Sequence, residues 1–229
     1  MPEARCVLVE REARRRKLER AAVQQGQPIL RLRVDIADFS LPALLKPSSG
    51  TQVREWKKAV GGGGSPAERL QMQWQAAEDL RAPPWPPKRV LACAKHLCGG
   101  ATDIALRSLS VDCKTDTMLG VCMATCCHHR CDTATYINLP FLDHIGLVAC
   151  DADMKKLAKL ASWAVGGTGA NLVGAMQRRR IGLMVKRILD IGRVQWLRDQ
   201  VSLDDATLVH YIEKEVTPEN VLIIAGGVQ

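Results

Sequence analysis

The sequence predicts an α/β layer protein with a mainly parallel sheet. Short apolar runs, too short for helices and rich in Val, Leu, Ala and Cys, recur at Cys6 to Val9, Arg89 to Ala94 and Leu119 to Thr125. Helix-like stretches separate them, and strands alternating with helices imply parallel pairing. The residues with the most chemistry also stand where these runs end, which is where open α/β sheets bind ligands.

Taken in order, Cys6 to Val9 reads as a buried strand ending at Glu10-Arg11, followed by a basic helix from Glu12 to Gln25. Ile29 to Ile36 alternates apolar and charged residues and reads as a second strand, with Asp35 near its end. Composition then changes. Lys46 to Lys88 holds Pro47-Ser-Ser-Gly50, Gly61 to Gly64 and Pro83-Pro-Trp-Pro-Pro87, and is expected to be a low-complexity insertion. This divides the chain into 1–45, 46–88 and 89–229. Arg89 to Ala94 resumes a strand and opens into Lys95-His-Leu-Cys-Gly-Gly100, after which Thr102 or Asp103 is expected to cap a helix reaching Leu109. Leu119 to Thr125 lacks alternation, as a strand covered on both faces would. Met154 to Ala164 reads as a helix and Gly166 to Gly174 as a loop. Arg178 to Gln200 reads as a long amphipathic helix, with Ile181, Met184, Val185, Ile188, Leu189, Ile191 and Trp196 as expected core positions. Ala206 to Ile212 and Val221 to Ala225 read as two closing strands.

Composition narrows the partners. Lys and Arg number 32 against 24 Asp and Glu, a formal net charge of +8, which permits a polyanionic partner and equally permits a solvated basic surface. The nine Cys are odd in number and include the adjacent Cys126 and Cys127. No secretory h-region precedes them, so reduced thiols and a cytoplasmic or nuclear location are expected. The apolar runs stay far below the roughly 18 residues needed to span a bilayer, so no membrane partner is expected.

Several strand-end residues could carry chemistry. An acidic residue closing a strand, such as Glu10, can accept from the two hydroxyls of a nucleoside ribose, and Asp35 could accept from an adenine amino group. Both could equally be solvated or helix-capping carboxylates. Lys95 and His96 place a charge and a titratable ring where the chain opens into glycines that let backbone approach a ligand. Cys126-Cys-His-His-Arg-Cys131 is the rarest feature. Zinc ligation is one reading, but there is no C-x-x-C pair and neighbours on an extended strand point to opposite faces. A cysteine nucleophile with His128 or His129 as base is another. Buried thiols beside one or two working histidines is the reading preferred here.

These segments resemble a known family. AKHLCGGATDIALRSL (Ala94 to Leu109), GVCMATCCHHRCD (Gly120 to Asp132), ASWAVGG (Ala161 to Gly167) and TPENVLIIA (Thr217 to Ala225) are similar to the eukaryotic tRNA 2′-O-methyltransferases that modify the fourth nucleotide of the acceptor stem. VLVEREARRRK (Val7 to Lys17) is similar to the family's segment after its first strand. The resemblance implies a Rossmann-like class I methyltransferase sheet, S-adenosylmethionine as methyl donor and tRNA as partner. It implies that Glu10 holds the cofactor ribose, that Asp35 lies near the adenine, and that Cys98 and Gly99 line the cofactor at a strand end. Lys95, His96, His128, His129 and Asp132 are the groups available to assist loss of the ribose hydroxyl proton. Arg11, Arg15, Lys17 and Arg130 could meet tRNA phosphates, which sets position without reading bases.

The pattern also departs from the family. Five residues precede Cys6, too few for the first strand and its glycine-rich loop. Gly61 to Gly64 and Gly167-Thr-Gly169 lack a preceding strand and are poor substitutes. The expectation is therefore a methyltransferase domain without its first cofactor-binding element, with weak cofactor binding. The alternatives are a non-catalytic tRNA-binding remnant or a Cys/His zinc module.

Overall fold

A computed structural model describes residues 6–10, 29–32, 35–41, 45, 89–109, 118–165 and 172–226. The chain divides into two compact units, Met1–Pro87 and Lys88–Gln229. The expected helix from Glu12 to Gln25, the insertion from Lys46 to Lys88, and Arg11, Arg15 and Lys17 lie outside the described residues.

In the first unit, β1 (Cys6–Val9) and β2 (Ile29–Leu32) pair in parallel, with Cys6 opposite Ile29 and Val9 opposite Leu32. The expected strand extends to Ile36, but the described strand stops at Leu32. Asp35 instead caps a short 3-10 turn, Ile36–Asp38, its Oδ1 accepting from the Ala37 N–H at 3.1 Å. An Asp side chain that satisfies the backbone two residues on favours a turn over a continuing strand.

The second unit carries a four-stranded sheet in the order β3-β4-β6-β5. β3 (Arg89–Cys98) and β4 (Met118–Cys126) are parallel, while β6 (Val221–Ala225) runs antiparallel to both β4 and β5 (Thr207–His210). The sheet is therefore mixed, a correction to the mainly parallel expectation. The reason is local. Residues 211–220 return the chain directly as a hairpin connection, whereas a parallel neighbour requires a crossover. Within that connection Asn220 Nδ2 donates to the Ile212 carbonyl at 2.8 Å and Tyr211 OH donates to the Glu219 carbonyl at 2.9 Å.

β4 is not covered on both faces. Leu119, Val121, Met123 and Thr125 are buried, while the intervening Gly120, Cys122 and Ala124 are only partly so. The alternation of a strand with one buried face is present, hidden in the sequence because its other face bears small apolar residues in place of charges.

Among its described residues the second unit has four α-helices, interspersed with the strands: α1 (Gly100–Ser108), α2 (Leu139–His144), α3 (Asp151–Ser162) and α4 (Leu172–Val201). The short α2 was not anticipated; Asn138 starts it by accepting from the Phe141 N–H at 3.2 Å. Residues 172–174 belong to α4, not to the expected glycine-rich loop. Tyr136, Leu142, Met154, Leu157, Val185 and Leu189 form the centre of the core between α2, α3 and α4. The ASWAVGG segment meets α4 at Gly182, where an added Cβ would fall 2.9 Å from the Trp163 carbonyl carbon. No described helix is long and apolar enough to cross a membrane.

The buried face of α4 differs from the one its apolar residues suggest. Val185 and Leu189 are buried as expected, but Ile181, Met184 and Ile191 are exposed. Their places in the helical stripe are taken by Lys186, Asp190 and Arg193, at 7%, 2% and 0% exposure. Apolar patterning does not detect a stripe built from paired charges.

Candidate active site at the ends of β3 and β4

Two neighbouring strand ends bring the expected site residues of the second unit together. β3 is regular to Lys95. The register then slips between Lys95 and Leu97, with His96 in a left-handed conformation at φ 64°. Such a bulge re-aims side chains. It leaves Lys95 and His96 both exposed. The chain turns at Gly99, whose N–H donates to the Cys126 carbonyl at 3.3 Å and ties the two strand ends. Gly99 has φ 56°, and an added Cβ would lie 2.6 Å from Arg130 Cβ. Both the conformation and the close approach call for glycine here.

Gly99 also occupies the N-cap position of α1, which corrects the expected capping by Thr102 or Asp103. Both of those side chains are buried inside the first turn. Thr102 Oγ1 donates to the Leu97 carbonyl at 2.6 Å, and Asp103 is drawn to an arginine far along the chain.

β4 ends at Cys126. Cys127 follows with φ 51° and leads into a 3-10 turn, His128–Arg130. That turn sorts the two histidines. His129 and Arg130 are exposed, whereas His128 is 2% exposed and turns inward. His128 Nε2 lies 2.8 Å from Asp190 Oδ1 on α4. Asp190 Oδ2 accepts from Thr125 Oγ1 at 3.0 Å, and Oδ1 also accepts from Arg193 Nη1 at 2.9 Å. Arg193 then grips Asp103 with two parallel bonds, Nε to Oδ1 at 3.0 Å and Nη2 to Oδ2 at 2.7 Å. Its guanidinium also lies 3.2 Å from Cys131 Sγ and 5.7 Å from the centre of the Tyr136 ring. His128 Nδ1 is buried without a partner among the described residues.

Electrostatics follow from this arrangement. Burial alone would raise the Asp190 carboxyl, but His128 and Arg193 more than offset it and hold it down to about 2. Burial disfavours the Arg193 charge, yet Asp103 and Asp190 keep it firmly protonated. Burial pushes the Cys131 thiol up to about 11 despite the neighbouring guanidinium, so it is not a nucleophile at neutral pH. Asp132 is exposed, and its Oδ1 accepts from both the N–H and the hydroxyl of Thr135, at 2.8 and 2.6 Å.

Sequence reasoning missed Asp103, Asp190, Arg193, Lys186 and Glu219. Lys186 Nζ is 2.6 Å from Glu219 Oε2, pinning the TPEN segment against α4. A charged residue at the buried step of a helix is the one signal that could have pointed to them, because it must be paired. Glu10 and Asp35 belong to the first unit and Cys98, Gly99, Lys95 and His96 to the second. Beside Lys95 the open face of the sheet carries an apolar groove of about 290 Å³, lined by Cys93, Ala94, Cys122, Ala124, Tyr211 and Leu222.

Comparison with known proteins places this geometry in a lineage. A family model described as "Methyltransferase TRM13" matches residues 74–175 and 168–226. The chain is 32% identical over 169 residues to the "tRNA:m(4)X modification enzyme TRM13" of Vanderwaltozyma polyspora, which covers 65% of this chain and 39% of that protein. The protein of the same name from Saccharomyces cerevisiae is 27% identical over 181 residues, covering 63% and 38%. That from Schizosaccharomyces pombe is 32% identical over 152 residues, covering 60% and 39%. The chain thus spans about two fifths of the length of these relatives. No solved structure matches. The matched segments hold both strand ends and the whole buried charge network, and on that extent of match the chain belongs to the TRM13 methyltransferase family.

Proposed function

We propose that this chain carries the catalytic region of an S-adenosylmethionine-dependent tRNA 2′-O-methyltransferase acting on the fourth nucleotide of the acceptor stem. The observation that supports it most is the meeting of two matched segments, Ala94 to Leu109 and Gly120 to Asp132, at one strand-end site tied by the Gly99–Cys126 backbone bond. The relatives are named as tRNA modification enzymes.

Methyl transfer to a ribose hydroxyl is an in-line displacement, so its first requirement is alignment of the reacting oxygen. S-adenosylmethionine, when bound, supplies the electrophilic methyl group. The residues present suit that ligand in part. On this reading Cys98 and Gly99 line the strand end of the second unit that receives it. The apolar groove beside Lys95 can accept an aromatic or thioether portion, but about 290 Å³ lies at the bottom of the usual range for ligand sites.

Among the five groups available for proton transfer, burial separates the roles. Lys95, His96 and His129 are exposed and can reach a ribose hydroxyl. Asp132 is exposed but engaged with Thr135. His128 is enclosed with Asp190, which suits a positioning residue that holds the β4 end in place. Arg130, exposed beside Gly99, is placed to meet a phosphate.

Tritiated-methyl transfer to unmodified tRNA tests the reading, with the chain alone and with an added upstream segment. Label in the ribose of the fourth acceptor-stem nucleotide is the expected result. Label on a base, or none with either form, overturns it, and tRNA binding without transfer would establish the non-catalytic alternative.

A further inference from the structure

Three thiols converge where β3 and β4 end. Cys98 Sγ and Cys126 Sγ are 3.8 Å apart, and these two and Cys127 Sγ all lie within 4.8 Å of one another. Sequence spacing speaks against such a cluster, because adjacent residues of a strand point apart. Two backbone irregularities remove the objection. Cys127 leaves the strand in the left-handed region at φ 51°, so its side chain turns to the same place as that of Cys126. On β3 the bulge at His96, φ 64°, shifts the register and sets Cys98 opposite Cys126. Neither residue is glycine, and each such conformation costs of order 1 kcal/mol or more. Backbone strain on both strands is thus spent at the point where the sulfurs meet.

We infer that Cys98, Cys126 and Cys127 form a three-thiolate site for a thiophilic d10 cation, zinc. Tetrahedral zinc with sulfur ligands at about 2.3 Å holds them about 3.8 Å from one another. The Cys98–Cys126 spacing already has that value, and Cys127 needs only a side-chain adjustment. Cys126 is buried and the other two half-buried, so the site is enclosed yet reachable. Three protein ligands leave a fourth position for water or a substrate oxygen, the pattern of a catalytic zinc more than of a structural one.

Protons balance the step: three thiols and one Zn²⁺ give a tris-thiolate complex of net charge −1 and three released protons. Binding therefore expels the thiol protons.

This site does not depend on the methyltransferase reading, because the test uses metal alone, without cofactor or tRNA. The full 229-residue chain, reduced and freed of metal, is titrated with Zn²⁺ against a chromophoric chelator and with Co²⁺ as a spectroscopic probe. One equivalent should bind with sub-micromolar affinity, and the Co²⁺ form should show tetrahedral d–d bands with thiolate charge transfer. Cys98→Ser and Cys127→Ser, both half-buried and so tolerant of change, should each weaken binding at least roughly tenfold with unchanged circular dichroism. Cys122→Ser and Cys150→Ser should bind as the parent does. Absence of binding in the micromolar range overturns the inference, as does stoichiometric binding that survives both Cys98→Ser and Cys127→Ser.

Discussion

The buried charge network and the thiol cluster are joined by one peptide bond, between Cys127 and His128, yet they are physical opposites. In the network every charge meets an opposite one. Arg193 is shared by two carboxylates, Asp190 by a histidine, an arginine and a hydroxyl, and among the described residues of the network only His128 Nδ1 lacks a partner. In the cluster like groups face one another, joined only by weak thiol contacts such as that from Cys126 Sγ to Cys98 Sγ at 3.8 Å. The first arrangement stabilises a fold; the second, set in a left-handed turn and a bulge, uses some of that stability. The contrast teaches that the rigid network supports an irregular strand end that could not hold itself in shape.

The largest effect should come from breaking the network at its centre. Arg193→Met leaves Asp103 buried without its cation and Asp190 held by His128 and Thr125 alone, and should destabilise the second unit by about 3–5 kcal/mol in denaturant unfolding. Removing Arg193 and Asp103 together as apolar residues should cost much less than the two changes summed, since the pair is then absent instead of broken.

A second effect reports on pH. Because the Asp190 carboxyl is held down to about 2, its contribution is fully present above its ordinary value near pH 4 and is lost as the pH falls through about 2. The stability difference between the parent and Asp190→Asn should therefore be constant near neutrality and shrink on acidification through that window. A difference independent of pH down to 2 would mean that the carboxylate is not held by His128 and Arg193.

A third tests the strand-end geometry. Gly99→Ala meets both a positive φ and Arg130 Cβ, and should cost about 1–3 kcal/mol in denaturant unfolding. The smallest belongs to the exposed Lys155–Asp151 pair at 2.7 Å on α3, where Lys155→Ala should leave the unfolding midpoint unchanged within error.

Several strands were readable because short apolar runs bounded by glycine and charge are strong local signals, and β1 in the first unit and β3 and β4 in the second appear where those runs stand. Direction was not readable for β6, since antiparallel pairing depends on how residues 211–220 return the chain. Nor was the working face of α4, since three of its buried positions are charged and look exposed when partners such as Asp103, ninety residues away, are unknown. The candidate site was legible as a set of residue types at two strand ends but not as a division of labour among them.

By itself the amino-acid sequence determined the α/β class, the two strand ends where the candidate site residues stand, and membership of a methyltransferase lineage. These are properties of local pattern and of matched segments. Only the tertiary structure decided that His128 is enclosed while His129 is exposed, that Arg193 joins α1 to α4, and that Cys98 meets Cys126 and Cys127. Burial, charge pairing and sulfur convergence depend on which distant segments share a volume, and left-handed residues at His96 and Cys127 redirect side chains in a way that strand periodicity does not encode.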